Sequence, residues 1–190
     1  TDEEILADYM SGNDEKAAQM IFFRYKTRVL NFCLRMLGNR ADAEDVTADA
    51  FLALFDRKYA HASGSKFSTW LYTVARNRCI SQIRKRKNIV SVWFSSRGSG
   101  GYEEWEQEDP QDIAGRQLEK KEEAVLVRHA VKQLPYEQRE AVVLREYHQL
   151  NYEEISQILN CSLEKVKVLI FRGRERLRAE LSSLIKEDQR

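Results

Sequence analysis

Between Asn88 and Gln117 the chain loses the apolar periodicity that marks it on either side. Ser95-Ser96-Arg97-Gly98-Ser99-Gly100-Gly101 has flexible composition, and Tyr102-Glu103-Glu104-Trp105-Glu106-Gln107-Glu108-Asp109-Pro110 is acidic and aromatic. A compact domain rarely holds so long a stretch without elements of its own. The reading is therefore two small domains, residues 1–87 and 119–190, joined by a flexible acidic linker over 88–118. About thirty residues reach roughly 30 Å as a flexible coil and up to about 100 Å fully extended. That suffices to place the two domains at separated sites.

Both flanking blocks read as helices. Ile21, Phe22, Tyr25, Val29, Phe32, Cys33 and Met36 fall at helical intervals, and Gly38-Asn39 ends that pattern. Asp42 is the expected N-cap of the next helix, whose stripe is Ala43, Val46, Thr47, Ala50, Phe51 and Leu54. The glycine-containing stretch Ala60–Ser65 interrupts, and a third helix follows from about Ser68 with Trp70, Leu71, Val74, Ala75, Cys79 and Ile83 on or near one side. No segment alternates with period two for long enough to propose a sheet. Two prolines and eight glycines in 190 residues are also few for a sandwich or barrel. The fold class is all-α.

The second block is more specific. Pro135 is placed as the first residue of a new helix. Leu150–Ser162 then reads as a short helix and a tight turn: Asn151 with Glu154 resembles a capping box, Asn160 tolerates the left-handed conformation, and Ser162 caps the following helix. That helix sets Val166, Ile170, Gly173, Leu177, Leu181 and Leu184 along one face. A short helix, a three-residue turn and a longer basic helix make a helix-turn-helix pattern.

A net charge of +1 conceals a segregation. Residues 1–87 hold 15 Lys/Arg against 11 Asp/Glu, residues 88–118 hold two against six, and residues 119–190 hold 14 against 13. Seven of the basic groups lie between Lys66 and Lys87 with no acid among them, and six lie between Lys165 and Arg178 against Glu175. Two basic stretches divided by an acidic spacer point to two polyanion contacts, one per domain. Solvated helix faces would show the same charges.

Three motifs carry a family resemblance. Leu134-Pro135-Tyr136-Glu137-Gln138-Arg139-Glu140, followed by Leu150-Asn151-Tyr152-Glu153-Glu154-Ile155, resembles the promoter −35 domain of bacterial sigma factors. Asp42-Ala43-Glu44-Asp45-Val46-Thr47-Ala48-Asp49-Ala50-Phe51 is similar to their core-polymerase-binding helix. Phe67-Ser68-Thr69-Trp70-Leu71-Tyr72-Thr73-Val74-Ala75-Arg76-Asn77 is similar to the helix that handles the −10 element. The two-domain layout is that of the extracytoplasmic-function group of the sigma-70 family. The resemblance implies a factor that directs core RNA polymerase to promoters, assists strand opening and is held inactive by an anti-sigma partner, often membrane-tethered.

It also implies site residues. Asp42, Glu44, Asp45, Asp49 and Phe51 are expected at core polymerase, although acids also simply stabilise a helix N-terminus. Lys66, Ser68, Thr69, Arg76, Asn77, Arg78, Arg84, Lys85 and Arg86 are expected at the melted −10 strand, where unstacked bases need pockets, aromatic platforms and a positive path. Trp70 suits a stacking platform but sits in the apolar stripe, which favours core packing. At the −35 duplex, Ser162 caps the recognition helix, Lys165, Arg172, Arg174 and Arg176 are assigned mainly to phosphates, and Lys167, Val168 and Phe171 face base edges. Val168 and Leu169 stand where members usually carry a small polar residue and an arginine. Either Val168 reads thymine methyls, or Leu169 is core and Val168 packs against a bound regulator.

Ala48 likewise replaces a frequent glutamine. The acidic linker, with Trp105, resembles the segment that threads the polymerase channels; a solubilising tether would have the same composition. An ordinary helix-turn-helix repressor would explain residues 119–185 and leave the first domain without a role. Enzyme activity is not expected: there is no metal-ligand spacing, no nucleophile–base motif and no glycine-rich phosphate loop, and His61, His129 and His148 are isolated. No cofactor or metal and no stable homo-oligomer is expected either. Cys33, Cys79 and Cys161 form no CxxC and no disulfide framework. The acidic start Thr1-Asp2-Glu3-Glu4 is no secretory signal, and no apolar run approaches the roughly 20 residues of a membrane span. The expected location is the bacterial cytoplasm, near the inner membrane when a tethered partner holds it there.

Overall fold

The computed structural model describes residues 1–10, 15–56, 66–94 and 118–188, and every regular element in them is an α-helix. The chain divides into two compact units, Thr1–Trp105 and Glu106–Arg190. The loop Ala60–Ser65 and the segment 95–117, with Trp105, lie outside the described residues.

The first unit holds α1 (Asp2–Met10), α2 (Glu15–Leu37), α3 (Arg40–Phe55) and α4 (Phe67–Phe94). Helix α2 packs against the other three, and α3 packs on α4. Most of the stripe read from the sequence is the core: Ile21, Val29, Phe32 and Cys33 of α2, Ala43, Ala50, Phe51 and Leu54 of α3, and Leu71, Ala75 and Cys79 of α4 are essentially excluded from water. Trp70, Val74 and Ile83 are only half-buried, and Phe67, outside the stripe as read, is fully buried. Edge-to-face rings knit the layers, Phe22 on Phe51 at 4.9 Å, Tyr25 on Phe67 at 5.3 Å and Phe32 on Tyr72 at 5.6 Å. A fully buried Leu, Ile or Phe contributes about 1.5–3 kcal/mol, whereas an exposed ion pair contributes about 0.2–1 kcal/mol. The apolar stripe therefore decides the fold, and the surface charges remain available for other work.

Helix ends follow local chemistry, with two corrections. Gly38 terminates α2 at φ 68°, a conformation that favours glycine, and its N–H donates to Leu34 O at 2.8 Å. The N-cap of α3 is Asn39, not Asp42: Asn39 Oδ1 accepts the Asp42 N–H at 3.0 Å. Asp42 is thereby carried inside the first turn, where its carboxylate faces α4. Helix α4 also continues to Phe94, past the expected boundary at 87, because Asn88–Phe94 contains no glycine or proline to stop it. Helix α1, which the apolar pattern does not single out, is capped by Thr1 Oγ1 accepting from Glu4 N at 3.2 Å and tied to α2 by Tyr25 donating to Asp2 Oδ2 at 2.5 Å.

The second unit holds α5 (Leu118–Gln133), α6 (Tyr136–Glu146), α7 (Tyr152–Leu159) and α8 (Leu163–Asp188). Pro135 is the N-cap of α6 rather than its first residue, with ψ 141°. Arg139, largely buried, donates to the carbonyls of Lys132 (2.7 Å) and Leu134 (3.2 Å) and so closes the end of α5; burial draws its guanidinium below the usual range. The helix-turn-helix has the expected turn. Asn151 and Glu154 form a reciprocal capping box, Asn160 sits at φ 51°, ψ 53°, and Ser162 Oγ accepts from Lys165 N at 3.2 Å. Val166, Ile170 and Gly173 of α8 are buried, as is Leu169.

Helices α6 and α8 approach at Gly173, where a Cβ would stand 2.5 Å from Val142 Cγ2 and 3.5 Å from Gln138 O. Valine is β-branched and stiff at χ1, so the contact cannot relax by a simple rotation. Gly173→Ala should lower stability by about 1–3 kcal/mol, less up to about 1 kcal/mol of gained helix propensity. In a Val142→Ala background the same change should be neutral or stabilising; urea unfolding of the four proteins reads the cycle. In the first unit, Asp42→Asn should cost about 1–3 kcal/mol by removing the charge that holds Arg86 and Gln82, while Asp45→Asn stays within about 0.5 kcal/mol. Thermal and urea unfolding followed by circular dichroism checks both.

Candidate functional site

Two surfaces collect the expected site residues, one on each unit. On α3, Glu44 is exposed and paired with Arg40 at 2.8 Å, and Asp45 is exposed on the same helix. Asp49 is half-exposed and lies 3.6 Å from Arg78 of α4. Asp42 is only 15% exposed, accepts from Gln82 Nε2 at 3.1 Å and is ion-paired with Arg86. Its first task is thus to join α3 to α4. Phe51 is 2% exposed and packs on Phe22, which removes it from any outer contact. The sequence pattern placed it correctly in the apolar stripe and the family likeness placed it outside; packing selects the former.

Beside these acids the structure exposes apolar groups that periodicity does not single out. Leu52 is 55% and Phe55 39% exposed on α3, and Met20 and Phe23 are exposed on α2. Phe55 meets the edge of Tyr9 at 6.4 Å between centroids. On the sequence these residues look like ordinary members of apolar runs. Only the packing of α1 to α4 shows which ones are left over.

Along α4 the cationic residues separate by partner. Lys66, Asn77, Arg78, Arg84, Lys85 and Arg86 are exposed, and Ser68 and Arg76 are half-buried. Arg78 and Arg86 are engaged with Asp49 and Asp42 as described, while Arg84 and Lys85 make no ion pair among the described residues. Thr69 is 3% exposed, so its hydroxyl points into the unit and cannot meet a base. Trp70 is half-buried, its ring tilted on Phe67 at 6.0 Å. Spacings of seven set Trp70, Asn77 and Arg84 on one face of α4. That face combines an aromatic ring, an amide and a guanidinium.

The second surface is α8. Measured around the helix, its outward side has a central stripe of Glu164, Val168, Phe171 and Glu175, at i, i+4, i+7 and i+11. Lys167, Arg174 and Arg178 run along one border; Lys165, Arg172 and Arg176 run along the other. Three of these six cations are used within the protein. Lys165 Nζ donates to Glu137 Oε1 at 3.2 Å, Arg178 pairs with Glu175 at 2.5 Å, and Arg174 donates through Nε and a terminal nitrogen to Glu146 Oε1 at 2.9 and 2.5 Å. The Glu146 contact raises the Arg174 guanidinium further above its ordinary value. Lys165 and Arg174 therefore act first as braces between α8 and the two ends of α6. Lys167, Arg172 and Arg176 are exposed and make no ion pair among the described residues. Val168 is 45% and Phe171 66% exposed, while Leu169 is 8% exposed and belongs to the core.

Among the described residues no group of His, Cys, Asp and Glu could hold a metal ion. No described helix is long and apolar enough to cross a membrane. Both surfaces offer fixed cations with apolar or aromatic side chains between them, an arrangement that binds phosphate backbones and the bases they carry.

Comparison with known proteins agrees with this division. Residues 21–89 match Sigma-70 region 2, and residues 124–177 match Sigma-70 region 4. The chain is 34% identical to the ECF RNA polymerase sigma factor SigW of Bacillus subtilis over 90% of its own length and 92% of that protein. It is 27% identical to the ECF RNA polymerase sigma-E factor of Escherichia coli K12, over 97% and 96% of the two chains. In fold it is similar to the sigma factor RpoE of Bartonella quintana, solved with the anti-sigma factor NepR, at TM-score 0.70 and 24% identity over 86% of this chain and 96% of that one. CnrH, solved with the cytosolic domain of CnrY, gives TM-score 0.64 at 21% identity over 99% of both chains. Two matched regions in order, and a relative above 30% identity over nearly its whole length, make one conclusion: this chain belongs to the ECF RNA polymerase sigma factors of the sigma-70 family.

Proposed function

We propose that this sigma factor divides promoter recognition between its two surfaces: the exposed side of α3 holds core RNA polymerase, the outer face of α4 holds the melted −10 strand, and α8 enters the −35 duplex. The observation that carries this reading is the pair of cationic faces, one on each matched region, each with basic groups that make no ion pair among the described residues. Polymerase contacts fall to Glu44, Asp45 and Asp49 with Leu52 and Phe55, a mixed acidic and apolar strip suited to a partner presenting basic residues around an apolar patch. Single-strand contacts fall to Trp70 and Asn77, which meet bases, and to Arg84 and Lys85, which meet phosphates. Duplex phosphates fall to Lys167, Arg172 and Arg176. The polymerase supplies the bond-making chemistry; this chain contributes position.

Control by an anti-sigma factor extends to this chain the partnership seen for the Bartonella relative. A protein cover over either surface would displace polymerase or DNA by simple competition.

Run-off transcription with purified core polymerase over a promoter library tests the whole reading: initiation should become promoter-directed only when this chain is added. Asp45→Lys should weaken polymerase binding at least tenfold, or about 1.4 kcal/mol, while the unfolding midpoint is unchanged. Equal loss of binding and stability would return Asp45 to a helix-stabilising role. Replacing Arg172 and Arg176 together by Gln should flatten the dependence of −35 duplex affinity on log salt by about 0.9 for each phosphate no longer neutralised. Glu146→Gln should steepen that slope by up to about 0.9, because it releases Arg174 from its brace for one further phosphate.

A further inference from the structure

Val168 and Phe171 are two adjoining apolar side chains left in water on a helix that is otherwise cationic along its outer borders. Leu169, next to them in sequence, is turned into the core and is excluded from any external contact. The two acids on the same stripe are already occupied. Glu175 is bound by Arg178 at 2.5 Å. Glu164 folds back on its own backbone N–H and on Ser162, and these hydrogen bonds hold its carboxyl below the usual range. Both acids stay charged and stand at the two ends of the stripe; Val168 and Phe171 between them are its apolar part, and Lys167, Arg172 and Arg176 flank it without ion-pair partners among the described residues.

A face of this kind specifies its occupant. Flanking cations on both borders require a surface with negative charge along two edges. An apolar middle requires something apolar between those edges. The major groove of a duplex admits one α-helix, presents phosphates on both walls, and exposes only one apolar group on its floor, the C5 methyl of thymine. Valine and phenylalanine have no donor or acceptor, so they cannot select guanine, adenine or cytosine by hydrogen bonding. We infer that Val168 and Phe171 form a methyl-reading strip, which selects thymines at neighbouring positions of the −35 element by apolar contact and fixes part of this factor's promoter specificity. The inference rests on the assignment of α8 to the −35 duplex and adds the base it reads there and the residue pair that reads it.

Deoxyuridine differs from thymidine by that methyl alone, so it isolates the contact. Promoters selected by holoenzyme from a library randomised across the −35 element should contain thymine, on either strand, at fixed neighbouring positions. Remaking such a promoter with deoxyuridine at one of them should lower initiation about fourfold, the effect of exposing one methyl group. Val168→Ala should remove the sensitivity at one position and keep it at the other. Circular dichroism should show the variant folded, because the replaced side chain is half-exposed. Selected elements without thymine, deoxyuridine promoters as active as the originals, or a Val168→Ala protein with undiminished sensitivity would each overturn the inference. The last result would assign the strip to a protein contact instead. Failure of the assignment beneath it looks different: core polymerase with this chain would then show no dependence on the −35 element at all.

Discussion

The close approach of α6 and α8 at Gly173 governs the second half of the molecule. With no side chain at that position, Val142 and Gln138 come against the α8 backbone, and Val166, Leu169 and Ile170 fill the space around the contact. Once that side of α8 is buried, the opposite side has no choice of residues: Val168 and Phe171 face outward with a cationic border on each side. The outward face of α8 is thus a consequence of core packing. A helix rotated by one residue would bury a different set and present different side chains.

Ion pairs then sort the cations into two kinds. Lys165 and Arg174 reach α6 and hold α8 in place; Arg78 and Arg86 reach α3 and hold α4. The pairs of Lys165, Arg174 and Arg78 are each weak because water surrounds them; that of Arg86 is stronger, since Asp42 is only 15% exposed. Their value lies in orientation, since they fix long side chains and the helices that bear them. Cations without such partners among the described residues, Lys167, Arg172 and Arg176 on α8 and Arg84 and Lys85 on α4, keep their charge for an external anion. A polyanion meeting either face encounters a prepared set of groups rather than a uniform positive field.

Much of this is legible in the sequence. The apolar stripes of α2 and α3 are core, as is the first half of the α8 stripe, Val166, Ile170 and Gly173, while Leu177 and Leu181 are half-exposed. The cap residues Asn151, Glu154 and Ser162 take the places their side-chain chemistry favours. Two misreadings share a cause. The cap of α3 falls on Asn39 rather than Asp42, and Pro135 is a cap rather than a first helical residue; a cap shifted by one to three residues leaves the apolar stripe almost unchanged. Phe51 and Thr69 take outward roles by likeness, yet both are buried. Motif matching aligns positions and does not report which side of a helix the neighbours cover.

The sequence alone determined that the chain is helical, that it forms two units, where its basic charge gathers and which family its motifs match, because periodicity, punctuation and composition are local properties. Tertiary structure alone decided which charges are engaged, which apolar residues remain in water and which of Val168 and Leu169 looks outward. Those depend on what stands across from each side chain. Arg174 and Arg176 are two residues apart in one helix, and only the presence of Glu146 beside the first makes one a brace and leaves the other without an ion pair among the described residues.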